Sequence, residues 1–319
     1  MHYYPPDEID PTAQQTFSKN IDLKASMKQG LETRPVVNQP LDEQRALFYQ
    51  TSFGESDTPV HTCKFSLDDT FLACGYGDGA VRIYNLDRGR KVVTLQNFTG
   101  PEDEVMPVTA LQWRPETSFS KTANVLVSAQ ADGSIKHWHT SSGKCLHVMQ
   151  DDPENHLYSL DFTLDGSLLA AAGRDRHVRI YDEATKAEIC AMKERGKLFG
   201  HANRIFCVKF NKTDQNMLAS GGWDNNIFLY DVRKKGPTHA MYGPMVCGET
   251  IEFHSDGYSL VAGSYRNDNC LEVYDLRKME RYLNIDFDGK VELHKQITVM
   301  DDPDDDFSEM PQTDVDDQE

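Results

Sequence analysis

SGGWDNNIFLYD, residues 220–231, decides the fold, because its order of small residues, acidic turn and alternating apolar strand occurs four more times in the chain. The other copies are CGYGDGAVRIYN at 74–85, SAQADGSIKHWH at 128–139, AAGRDRHVRIYD at 171–182 and the slightly stretched AGSYRNDNCLEVYD at 262–275. Their turn aspartates, Asp78, Asp132, Asp175, Asp224 and Asp268, are separated by 54, 43, 49 and 44 residues. A recurrence at that spacing outranks any local motif, since it marks a unit that buries its apolar faces only against its neighbours.

Each copy sits in a cycle of four short apolar strands divided by turn signals. In the first cycle these are VHTCKFS, FLACG, AVRIYNL and KVVTL; in the fourth they are RIFCVKF, MLASGG, NIFLYDV and THAMY. That is the strand pattern of a propeller blade, and the expected fold is all-β, a β-propeller with five legible blades. Apolar residues alternate in the third strands, Val178 and Ile180 against Arg179 and Tyr181, while the flanking strands are more continuously apolar, so both blade faces need cover. The expected organisation is a flexible polar arm at 1–45, the propeller at 46–288 and an acidic disordered tail at 289–319. ALFYQTSF at 46–53 and KVELHKQITVM at 290–300 each offer one strand to patch an edge.

Composition narrows the function. With 39% hydrophobic residues, 15 Phe and 13 Tyr, the middle of the chain can bury a sizeable core. The net charge of −18, with ten acidic and no basic side chains in 301–319, argues against direct nucleic-acid binding and against an anionic membrane surface. The opening MHYYPPDEIDP resembles no secretory signal, and no apolar run has the length to span a bilayer. A soluble intracellular protein is expected, cytoplasmic rather than nuclear. The seven cysteines lie mostly in strand-like segments and show no CxxC spacing, which implies reduced thiols.

Gly200 and His201, with Ser220, Asp224, Tyr230 and Asp231, resemble the WD-repeat family, and the resemblance covers residues 58 to 288. The copies depart from the family's fullest form: the strand-end Trp survives only as Trp138, replaced by Tyr84, Tyr181, Tyr230 and Tyr274, and the Gly-His pair is clear only in the fourth repeat. The resemblance implies a structural hydrogen-bond set of His201, Ser220, Asp224 and Tyr230, with no catalytic residues. It also implies a binding surface at one end of the blades, built from the first strands and the residues before the turn aspartates. The partner-binding candidates are Trp223, Phe206, Tyr158, Arg174, Arg204, His61 and Glu249, since aromatics and arginines supply area with directed polar contact. The family usually has seven blades. Five legible repeats leave three readings: an incomplete seven-bladed chain, which we favour, five blades that close, or blades supplied by a partner.

Other motifs are set aside. Gly75, Gly77 and Gly79 lack phosphate-loop spacing and a following helix, and the acidic tail lacks the glycine and closing glutamate of a calcium loop. His137 and His139 share a strand face but have no third ligand, so neither metal nor cofactor is expected. The sequons at Asn97 and Asn211 matter only in a secreted chain. The expected function is a non-enzymatic scaffold or adaptor for protein partners in a multi-subunit complex. The alternatives are a reader of basic or histone-like tails through acidic surfaces and, behind it, an enzyme or small-molecule site in a central channel.

Overall fold

The computed structural model describes residues 58–96, 106–116, 124–150, 152–193, 196, 198–266 and 269–285. The chain divides into two compact units, Met1–Gln50 and Thr51–Glu319, and every described residue belongs to the second. The arm, the strands expected at 46–53 and 290–300, the tail, the sequon at Asn97 and the turn residue Asp268 lie outside the described residues.

Five four-stranded antiparallel sheets follow one another, each with its strands in chain order. Blade 1 contains β1 Val60–Phe65, β2 Phe71–Tyr76, β3 Val81–Asn85 and β4 Arg90–Leu95. Blade 2 contains β5 Val108–Trp113, β6 Val125–Gln130, β7 Ser134–His139 and β8 Lys144–Gln150. Blade 3 contains β9 Leu157–Phe162, β10 Leu168–Gly173, β11 Val178–Asp182 and β12 Glu188–Met192. Blade 4 contains β13 Ile205–Phe210, β14 Met217–Gly222, β15 Asn226–Asp231 and β16 Gly236–Tyr242. Blade 5 contains β17 Ile251–Phe253, β18 Ser259–Gly263, β19 Leu271–Asp275 and β20 Glu280–Ile285. Among the described residues the one helical turn is Val232–Lys234, capped by the Asp231 carboxylate on the Arg233 amide, and no helix is long and apolar enough to cross a membrane.

The core lies between blades. One cluster joins Val127 and Ile135 of blade 2 to Leu160, Phe162 and Leu169 of blade 3, and others join blades 1 and 2, 3 and 4, and 4 and 5. Each fully buried Leu, Ile or Phe there contributes about 1.5–3 kcal/mol. The third strands show why simple alternation fails: Tyr181 and Tyr230 stand opposite the apolar positions yet are buried, because that second face of their sheets meets the preceding blade.

Blade 1 breaks this rule on one face. Trp113, Phe162, Phe210 and Phe253 end the first strands of blades 2 to 5 and are 9%, 0%, 0% and 7% exposed, each on the face turned to the preceding blade; Phe65, the matching residue of blade 1, is 59% exposed. Val60 is likewise 51% exposed where Val108, Leu157 and Ile205 are buried. On that face Cys74, Tyr76 and Tyr84 are buried, while β1 leaves Val60, Cys63 and Phe65 bare, an apolar exposure of the kind that an interface between blades covers.

Candidate functional site

In blades 1 to 4 the end that carries the turn aspartate is shaped by a bulge. Val60 pairs with Tyr76 and Thr62 with Gly75, so His61 is an extra residue in β1. The same two-for-one count makes Thr109, Tyr158 and Phe206 the extra residues of β5, β9 and β13. A bulge frees its residue from the ladder and re-aims its side chain. In blades 3 and 4 it also drives a carbonyl against the second strand, so that a Cβ on Gly173 or Gly222 would stand 2.0 Å from the oxygen of His156 or Arg204.

Two of these residues and the one before Asp224 form an aromatic ladder. The rings of Tyr158 and Phe206 stack with centroids 4.7 Å apart and planes inclined by 15°. Phe206 and Trp223 stack at 5.0 Å and 28°. The Arg204 guanidinium lies 5.6 Å from the Trp223 ring centre, and the indole N–H donates to Cys247 Sγ at 3.1 Å. All three rings are half-buried and Arg204 is buried. Four of the seven binding candidates thus come together across blades 3 and 4. Arg174 is half-buried before Asp175, and His61 is half-buried on blade 1, where burial lowers its proton affinity. Glu249 of blade 5 forms an ion pair with Lys64 of blade 1. Tyr265, exposed in the corresponding segment of blade 5, escaped notice because that repeat is stretched.

Beside the ladder, His201 Nδ1 lies 3.0 Å from both oxygens of Asp224, and His201 Nε2 lies 2.6 Å from Ser220 Oγ, which is 3.4 Å from the Tyr230 hydroxyl. Asp224 also accepts from the amides of Ala202 and Asn226. Ser220 is fully buried and His201 nearly so, so this grouping of Ser, His and Asp is walled in by packing and orders the loop and turn that present Trp223. Blades 1 and 3 reach the same end differently: Arg82 and Arg179, four residues after Asp78 and Asp175, clamp those carboxylates. Phe228 occupies that position in blade 4, packed edge-on against His201, and the imidazole replaces the guanidinium as the partner. Asp132 instead accepts from the Ser134 amide.

Burial alone would raise the Asp224 carboxyl, but the hydrogen bonds from His201 and the two amides outweigh it and hold it below its ordinary value of 3.8. A carboxyl lowered in the folded state stabilises the fold above its unfolded value and loses that contribution as pH falls through its folded value. Asp224→Asn is therefore expected to show its full stability deficit near neutral pH and a shrinking one in acid, read from urea unfolding at stepped pH. A deficit constant down to acid pH would count against the assignment.

A second polar system runs along the first strands. The residue before each strand-ending aromatic is Lys64, Gln112, Asp161, Lys209 or Glu252. Asp161 accepts from Gln112 Nε2 at 2.9 Å, from the Phe210 amide at 2.7 Å and from Lys212 Nζ at 3.2 Å, tying blade 3 to blades 2 and 4. Burial alone would lower the Lys209 ammonium, but the carboxylates of Asp161, Glu249 and Glu252 raise it. Between blades 2 and 3, buried Glu183 is held below its ordinary value against the effect of burial by bonds from His137 and Lys186, with Arg114 also beside it.

Comparison with known proteins agrees with this architecture. Residues 143–182 and 192–231 match the family model described as WD domain, G-beta repeat. Each match begins near the last strand of one blade and ends with the third strand of the next. Residues 15–116 match the model described as Anaphase-promoting complex subunit 4 WD40 domain, a match that begins inside the segment read as a polar arm. The LEC14B homolog of Prunus armeniaca is 25% identical over 70% of this chain and 48% of its own length. Protein SOF1 of Saccharomyces cerevisiae is 25% identical over 74% of this chain and 49% of its own. The chain thus spans about half the length of these curated relatives. A chain in the crystal structure of the mitotic checkpoint complex superposes with a TM-score of 0.61 at 21% identity, covering 74% of this chain and 67% of that one, a likeness of fold.

Proposed function

This chain is a WD-repeat protein with five blades among its described residues, and we propose that it is a non-enzymatic scaffold that grips a protein partner with the aromatic ladder of blades 3 and 4. The observation that carries this reading is the stack of Tyr158, Phe206 and Trp223 against Arg204. A row of half-buried rings beside a guanidinium offers rigid apolar area with a directed charge, the composition of interaction hot spots. The blades hold that row rigid, so little ordering is left to do on binding. Membership of a multi-subunit assembly follows the same reasoning: besides the ladder, the protein presents the bare face of blade 1.

The test uses the full chain as bait. Trp223→Ala and Arg204→Ala are each expected to weaken partner capture roughly 30-fold, the effect of losing about 2 kcal/mol at a hot spot. Cooperative thermal unfolding should persist in both. Undiminished capture by both folded variants would move the binding surface to another part of the chain.

A further inference from the structure

We infer that Cys63 and Cys74 are a reversible redox site on the bare face of blade 1, closing to a cross-strand disulfide when peroxide oxidises the exposed thiol. The two residues stand directly opposite each other in the β1–β2 ladder. Opposed residues of an antiparallel pair share a face and have Cα atoms about 4.5 or 5.5 Å apart. Both spacings fall within the range of about 4.4–6.8 Å that a disulfide spans. Both cysteines are free thiols, Cys63 exposed and Cys74 buried, the latter among Leu72, Tyr76 and Tyr84.

The pair is peculiar to this blade. The positions matching Cys63 in blades 2 to 5 hold Leu111, Leu160, Val208 and Ile251, all sealed against the preceding blade. Those matching Cys74 hold Ser128, Ala171, Ser220 and Ala262. No other described cysteine faces a second one across a ladder: Cys145 stands opposite Trp138, Cys190 opposite Ile180 and Cys207 opposite Gly221, while Cys247 and Cys270 lie outside the strands.

The two thiols divide the chemistry. Burial, reinforced by the nearby Cys63 sulfur, pushes the Cys74 thiol up to about 11, so the exposed Cys63 attacks first. Its thiolate sulfur takes one oxygen of hydrogen peroxide, the O–O bond breaks, and the products are a Cys63 sulfenic acid and hydroxide, which a proton converts to water. Cys74 sulfur then attacks Cys63 Sγ. The S–O bond breaks as the S–S bond forms, and the departing hydroxide takes the Cys74 proton as a second water. Two thiols are oxidised by two electrons in all, one peroxide is reduced to two waters, and an added dithiol reverses the bond by exchange.

Trypsin can read the outcome, because cleavage after Arg45, Lys64 and Arg82 puts the two cysteines in separate peptides, 46–64 and 65–82. The reduced full chain is treated with hydrogen peroxide, alkylated in denaturant and digested without reduction. The expected product is the two peptides joined, lighter by two hydrogens than their sum and released by dithiothreitol, with the other five cysteines alkylated. Cys63→Ser should leave Cys74 a thiol that is alkylated in denaturant, Cys190→Ser should leave the yield of the joined peptides unchanged, and Cys74→Ser should leave a sulfenic acid at Cys63 that dimedone traps. Recovery of Cys63 as sulfinic acid beside alkylated Cys74 would overturn the proposal. So would a bond to any other cysteine, or a linkage found only between two copies of the chain.

Discussion

Gly222→Ala is expected to cost about 3 kcal/mol, the upper part of the range for overpacking a tight site. The added Cβ would lie 2.0 Å from the Arg204 carbonyl oxygen and 3.2 Å from Ile205 Cα, both backbone atoms that no rotamer change can move aside. Relief requires opening the bulge at Phe206, and that same carbonyl accepts the Trp223 amide at 3.3 Å. The substitution therefore disturbs stability and the ladder together. Gly248→Ala is the matched control, with nothing within 4 Å of the added methyl, and should shift stability by no more than about 0.5 kcal/mol. Urea denaturation of the two variants decides the matter: equal midpoints would show that the bulge yields freely and that the close approach is not a constraint.

The second large effect is at Asp161. Its buried carboxylate receives the Gln112 amide, the Phe210 backbone N–H and the Lys212 ammonium, and it helps to hold the buried Lys209 in its charged form. Removing one partner from such a set leaves the others desolvated and unmatched, which costs about 3–5 kcal/mol. Asp161→Ala should lose that much, and Asp161→Asn, which keeps an acceptor for the Phe210 amide, should lose less. If both variants unfold at the wild-type midpoint, solvent or a rearranged carboxylate has replaced Asp161, and the three blades do not depend on it.

The five-blade architecture was legible because the turn aspartates and the strands around them repeat in type as well as spacing. The polar row of Lys64, Gln112, Asp161, Lys209 and Glu252 was written just as regularly, one residue before each strand-ending aromatic. It escaped attention because those five side chains differ in charge, and what repeats there is a place in the ladder. The bulges at His61, Thr109, Tyr158 and Phe206 were hidden for a related reason. An extra residue is defined by the neighbouring strand's pairing, which composition does not record. Position pointed to Tyr158, Phe206, Trp223 and Arg204, but only the ring geometry distinguishes them from Glu249, whose carboxylate is engaged by Lys64. Tyr181, set against the apolar positions of its strand, is buried between blades 2 and 3, in line with the expectation that both blade faces need cover.

The bonds of Asp161 bear on how the protein breathes. A local opening of blade 3 must release hydrogen bonds anchored in blades 2 and 4, so backbone amides in those three sheets become exchangeable together. In deuterium labelling the amides of β5, β9 and β13 should form one slow cooperative group. Those of β20, whose residues are all exposed, should label early and independently. The repeats are similar in sequence, but the protein should have a protected middle and a yielding edge.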